Sequence, residues 1–193
     1  QRGAAPRVAN AVTVRTKGHE TTLANGLSAV TVSAAGGTLI RRLIVAGKEL
    51  VAPGTLVDLQ VLDPGGKVYR ASLAGAYTVT VAHQNALTAT VVVAGKHQAR
   101  DGATLLDFAL RFTLSAGNPD LKLEHTFYCH EPREGKIAVK AIKLVVPTTM
   151  DPARGICETS TRFIESIRLP VRFFCVLNWM ICPAITCSLE KSM

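Results

Sequence analysis

"TLLDFALRFTLSAGNPDLKLEHTFYCH", residues 104–130, consists of two alternating runs joined by a turn, and its reading decides the fold. With period two, Leu121, Leu123, His125, Phe127 and Cys129 share one face of the second run, and Lys122, Glu124, Thr126, Tyr128 and His130 share the other. If the turn centres near Gly117 and Asn118, the numbers of facing residues add to about 235 in simple antiparallel register. Arg111 then faces Glu124, Asp107 faces Tyr128, Leu110 faces His125, Phe112 meets Leu123 and Phe108 meets Phe127. One face is apolar, and the other carries an opposite-charge pair and a Tyr–Asp pair. Such pairs contribute roughly 0.2–1 kcal/mol each. A histidine stands in the middle of the apolar face.

Outward from this hairpin the pattern repeats. Short strand-like runs such as "AVTVRT", "LSAVTVS", "TLIRRLIV", "TLVDLQVLD", "AYTVTVA" and "ALTATVVVAG" fill residues 11–147. The connectors "AAGG", "AGKE", "DPGGK", "AHQN", "RDGA" and "EPREGK" supply the Gly, Asn, Asp and Pro that tight turns require. No long helical period interrupts them. The expectation is an all-β antiparallel β-sandwich over residues 10–148, preceded by a flexible segment, residues 1–9. A chain of 193 residues, 48% of them apolar, is large enough to fill one real core.

The formal net charge is +8, yet Lys and Arg intermix with Asp and Glu almost everywhere. Without a basic stripe or stacking aromatics, nucleic-acid binding is not expected. A modest positive field favours acidic ligands, acidic polysaccharides among them. The chain starts at Gln1 with no n-region and h-region of a signal peptide, so a processed product or a fragment is expected.

The character changes after Pro147. Four of the five cysteines and the only tryptophan lie beyond Met150, but only one of fifteen glycines does. Residues 149–193 are therefore a Cys-rich tail, expected to be irregular or partly helical. It reads as a disulfide-tied extension, an interfacial segment, or foreign sequence from a frameshift or unspliced intron. Its uncharged run is short for a membrane span and contains Pro183, so no membrane crossing is expected. Cys175, Cys182 and Cys187 lack the close pairing of a zinc site and no histidine follows them, so neither a metal nor another cofactor is expected. The glycine turns lack the phosphate-loop pattern, and no G-x-S-x-G or H-E-x-x-H is present.

"EHTFYCHEPREGK" concentrates His125, Tyr128, His130 and Arg133 at a strand end and the loop beyond it, where binding groups tend to sit. These four are the candidate substrate-binding residues. His125 doubles as a core residue, because it points with the apolar set. The catalytic residues are unassigned.

Several stretches in order, "GLSAVTVSAAGGTLIRRLIVAGKELV", "DLQVLDPGGKVYRASL", "VVVAGKH" at Val91–His97 and "RFTLSAGNPDLKLEHTF", resemble the central β-sandwich region of the exo-rhamnogalacturonan lyase-like polysaccharide lyases. The resemblance spans about residues 20–147. It implies a protein with a small barrel-like domain before the sandwich and a large α/α toroid after it, acting on rhamnogalacturonan in pectin by β-elimination outside the cell or in the periplasm. On that reading the partners are an acidic polysaccharide and flanking domains of the same protein, and the chain alone is expected to be inactive. The alternative is a stand-alone carbohydrate-binding or structural sandwich. β-Elimination needs a cation at the uronate carboxylate, a base for the neighbouring C–H and an acid for the leaving oxygen. Arg133 or Arg111 suits the first task, and His125, His130 or Tyr128 the other two. The pairing of Arg111 with Glu124 already occupies one arginine, which leaves His125 for the sandwich interior or for contact with a neighbouring domain.

Overall fold

The computed structural model describes residues 8–51, 54–128 and 139–146, with the backbone of 174–181. Thirteen strands are described there. They are β1 (Thr13–Lys17), β2 (Glu20–Ala24), β3 (Ala29–Ser33), β4 (Ile40–Val45), β5 (Lys48–Val51), β6 (Asp58–Leu62), β7 (Val68–Arg70), β8 (Thr78–Gln84), β9 (Thr88–Gln98), β10 (Thr104–Ser115), β11 (Leu121–Tyr128), β12 (Ala141–Val145) and β13 (Phe174–Ile181). A single 3₁₀ turn, Ala71–Leu73, follows β7.

The strands form two antiparallel sheets. The first is a meander in the order β1-β2-β3-β4-β5. The second has eight strands in the order β12-β6-β7-β9-β10-β11-β13, with β8 lying against β9 beside β7. Hairpin chemistry sets the meander's corners. Val45 pairs with Lys48 across Ala46 and Gly47, both at positive φ (48° and 75°), the combination that a two-residue type I′ turn demands.

The central hairpin has the register expected from its turn. Asp107 faces Tyr128, Phe108 faces Phe127, Leu110 faces His125 and Phe112 faces Leu123. Gly117, at φ +71°, turns the chain between them. Arg111 faces Glu124, but the Glu124 carboxylate pairs with Lys122 at 3.0 Å, and Arg111 makes no ion pair among the described residues. Lys122 lies two residues away on the same strand and face, about 7 Å along it, within reach of a lysine stem. The expected Arg111–Glu124 charge pair is thus replaced by one along the strand.

Between the sheets lies one core. Leu23, Val30, Val32, Leu43 and Val45 of the first sheet meet Leu59, Val91, Val93, Phe108, Leu110, Phe112, Leu121 and Leu123 of the second. Fully burying each such side chain contributes roughly 1.5–3 kcal/mol. A second cluster, with Val61, Tyr69, Ala99, Leu106 and Phe127, extends the core toward the C-terminal ends of β6, β9 and β11.

Two polar clasps join the sheets at their ends. Asn25, in the β2–β3 turn, donates from its amide to the carbonyls of Ser115 (2.7 Å) and Asn118 (2.6 Å) in the β10–β11 turn. Its own Oδ1 accepts the Leu27 and Ser28 N–H groups at 3.1 and 2.9 Å. The Ser28 hydroxyl donates to the Pro119 carbonyl and accepts the Ala46 N–H. Buried polar atoms are tolerated in such a place because each has a partner. In the second clasp, Tyr77 donates its hydroxyl to the Gly37 carbonyl at 2.7 Å and its N–H to Ala34. Beside it Gly36, at φ +80°, comes so close that an added Cβ would stand 1.6 Å from the Gly75 carbonyl oxygen. Only glycine permits that approach.

The tail departs from its expected irregular or partly helical form over Phe174–Ile181, whose backbone pairs along all of β11, from Leu121↔Ile181 to Tyr128↔Phe174. Phe, Val, Trp and Ile favour strands, and an open β11 edge offers a full row of backbone groups to pair.

Candidate functional site

Alternation along β11 separates two of the candidate residues. His125 points inward and is fully buried, whereas Tyr128 lies half-buried on the outer face opposite Asp107. They cannot act on one substrate group from opposite faces of a strand. His130 and Arg133 lie outside the described residues.

Inside the sandwich His125 has a companion. His97 continues the inward face of β9 after Val91, Val93 and Gly95, and it too is fully buried. The two imidazoles meet edge to face with ring centres 6.2 Å apart, and Phe108 packs 5.0 Å from His97 and 6.4 Å from His125. Phe127 lies 5.7 Å from His125. Gly95 makes room for these rings: a Cβ there would stand 2.9 Å from Tyr77 and 3.0 Å from Phe108. The Leu106 carbonyl can only accept, so the 3.0 Å contact from His97 puts that histidine's proton on Nδ1.

Burial disfavours the charged form of both rings. It lowers His97 to about 4, against a smaller upward pull from the Leu106 carbonyl. It lowers His125 to about 3, with the neighbouring His97 adding to the effect. Both are neutral near pH 7 and shielded from solvent, and neither can serve as a base for an external substrate. His125 is a residue of the sandwich interior.

The end of the second sheet where Tyr128 lies is chemically richer. Lys96, Asp107 and Tyr128 form a row across β9, β10 and β11 on the outer face. Beyond the same ends the β6–β7 and β9–β10 turns stand together. Asp63 shapes the first by accepting the Lys67 N–H at 2.9 Å, with Gly66 at φ +85°. Gly102, also at φ +85°, shapes the second, with its N–H bonded to the Ala99 carbonyl. A Lys67–Asp101 ion pair of 2.6 Å ties the turns together.

Beside that tie opens a cleft of about 420 Å³ lined by Lys67, Val68, Arg70, Leu73, Arg100 and Asp101. Arg70 is steadied by Asp58, 3.9 Å away, a buried carboxylate that also accepts the Ser72 N–H. Arg100 is exposed and makes no hydrogen bond or ion pair among the described residues. Val68 and Leu73 expose apolar surface at the cleft. The sequence conceals this arrangement, because "DPGGK" and "ARDGA" read as two unrelated turns. His97 was not singled out from the sequence, although the Val91, Val93 alternation continued to it would have marked it as inward-facing.

Among the described residues no group of three or more His, Cys, Asp or Glu side chains could hold a metal ion, and no helix is long and apolar enough to cross a membrane. No curated protein matches the chain. One family model does, that of the PcRGLX-like protein central beta sandwich domain, over residues 12–154. The match takes in the strands of both sheets from β1 to β12, the buried histidine pair and the cleft. By that span the chain belongs to the PcRGLX-like central β-sandwich family, a rhamnogalacturonan lyase-like family.

Proposed function

We propose that this sandwich is the sugar-handling and domain-packing part of a longer, extracellular or periplasmic polysaccharide lyase-like protein that acts on rhamnogalacturonan, and that it does not catalyse β-elimination alone. Membership of a family described as a central domain is the observation that carries this reading. The chemistry supports the division of labour. β-Elimination needs a base and an acid beside a neutralised carboxylate, in a site closed to water. The described histidines on the inward face are neutral and enclosed, and the basic cleft is open at its rim. Binding groups are present, and the carboxylate among the cleft's lining residues, Asp101, is engaged by Lys67 at 2.6 Å.

The test is to incubate the chain with rhamnogalacturonan and follow the ultraviolet absorbance of the unsaturated product, with binding measured in parallel by calorimetry. The expected outcome is binding without turnover. Turnover by the chain alone would overturn the division of labour, and absence of both would overturn the sugar-handling role.

The stand-alone binding module is the second reading. It is favoured by one observation: every lining residue of the cleft belongs to the sandwich itself.

A further inference from the structure

We propose that the cleft between the β6–β7 and β9–β10 turns is a subsite for an acidic sugar unit, in which Arg100 and Arg70 hold the carboxylate and Val68 and Leu73 seat the C–H face of the ring. The inference rests on the sugar-handling reading above and assigns that role to particular residues.

Three observations converge on it. First, the cations of the cleft are not equivalent. Lys67 is engaged by Asp101 at 2.6 Å, and Arg70 lies 3.9 Å from Asp58, whereas Arg100 makes no polar contact among the described residues. A guanidinium of that kind retains its donor fork for an incoming carboxylate, the group whose geometry it fits best. Second, the cleft is prebuilt. Each turn is set by a glycine at positive φ, and the Lys67–Asp101 tie fixes one turn against the other. A ligand therefore meets groups that are already placed and loses less to ordering. Third, the rim is amphipathic. Val68 is 37% exposed and Leu73 41%, next to the charged groups. An inorganic anion has no use for apolar surface, but a uronate has one C–H-rich face as well as its carboxylate. The volume of about 420 Å³ falls within the range of small-molecule sites.

The charge balance near the cleft also argues against a multiply charged ligand. Against Lys67, Arg70 and Arg100 stand Asp101 at the rim, buried Asp58 behind Arg70, and Asp63 in the turn. That balance leaves no large positive excess to hold a multiply charged phosphate. The uncommitted Arg100 instead offers one strong contact.

The experiment titrates the full chain with a rhamnogalacturonan tetrasaccharide, with the same tetrasaccharide after reduction of its carboxyl groups, and with inorganic phosphate. Affinity is read by calorimetry and the position of binding by backbone amide shifts. Arg100→Gln is expected to weaken the acidic tetrasaccharide about tenfold, the loss of one charge-assisted contact, with an unchanged melting temperature. Leu73→Glu, an exposed change, is expected to weaken it as much by placing a like charge at the rim. The reduced sugar is expected to bind the wild type about tenfold more weakly and to be indifferent to Arg100→Gln, with shifts confined to residues 63–73 and 98–103. If the acidic sugar binds the wild type and both variants equally, the subsite is wrong while the sugar-handling role stands. If phosphate displaces the sugar and shifts the same amides with equal affinity, the site is a general anion site and the proposal falls. If no sugar binds the wild type, the sugar-handling reading itself falls, and the subsite with it.

Discussion

The rings of His97 and His125 lie 6.2 Å apart in the sandwich interior, each fully buried and each held well below the usual histidine pKa. This pair gives the fold its pH dependence. In the unfolded chain both rings take up protons as the pH falls through about 6.5, whereas in the native state they resist down to about 4 and about 3. Between those limits the unfolded state binds more protons, so stability rises with pH there. The contribution is complete above about pH 6.5 and is lost as the pH falls toward about 3, by several kcal/mol in all. Thermal melts from about pH 7 down to about pH 4 should show a steep fall in melting temperature. A flat profile would contradict the buried, neutral assignment.

His125→Ala should destabilise the sandwich by about 2–4 kcal/mol at neutral pH, because it opens a cavity against Phe108 and Phe127. It should also reduce the acid sensitivity, since one of the two resisting rings is gone. Denaturant unfolding at neutral and at mildly acidic pH measures both effects. An unchanged unfolding midpoint joined to weaker sugar binding would return His125 to the binding surface.

Asn25→Asp tests the clasp between the two turns. The substitution keeps the oxygen that accepts from Leu27 and Ser28 but replaces the amide that donates to Ser115 and Asn118. At neutral pH a carboxylate would face two carbonyl oxygens, and the expected loss is on the order of 3 kcal/mol. Protonation restores a donor, so the deficit relative to wild type should shrink on acidification. Asn25→Ala should show a comparable loss with no such recovery.

Gly36→Ala should be the more damaging of two glycine substitutions, and Gly95→Ala the milder. At Gly36 the added carbon meets backbone, the Gly75 carbonyl oxygen, in a left-handed conformation as well. Nothing there can move without separating the loops that hold Tyr77. At Gly95 the obstacles are the rings of Tyr77 and Phe108, which can tilt, so the cost should stay near the 1–3 kcal/mol of ordinary overpacking. Melting temperatures of the two variants rank them directly.

What the sequence revealed and what it hid divide along a physical line. The Phe108–Phe127 and Leu110–His125 pairings were legible because one short turn propagates its register along both strands. The inward place of His125 followed from period two alone. Which cation would take the Glu124 carboxylate was not legible, because facing position does not decide between Arg111 across the ladder and Lys122 along it. Nor was the cleft, since Lys67 and Asp101 stand 34 residues apart and meet only once two separate turns of the second sheet are in place. The strand at Phe174–Ile181 shows no clean alternation to announce it.

The Asn25 clasp also bears on how the molecule is made. Every strand of the first sheet pairs only with its neighbour in sequence, so that sheet needs no long loop to close before its register forms. The bonds from Asn25 to Ser115 and Asn118 span 90 and 93 residues and cannot exist until the β10–β11 hairpin has been synthesised and turned. Loop-closure entropy therefore makes this contact a late one on the folding route, and topologies rich in such contacts fold slowly. A chain emerging from the ribosome would carry a formed meander with its apolar face uncovered, waiting for the second sheet to arrive.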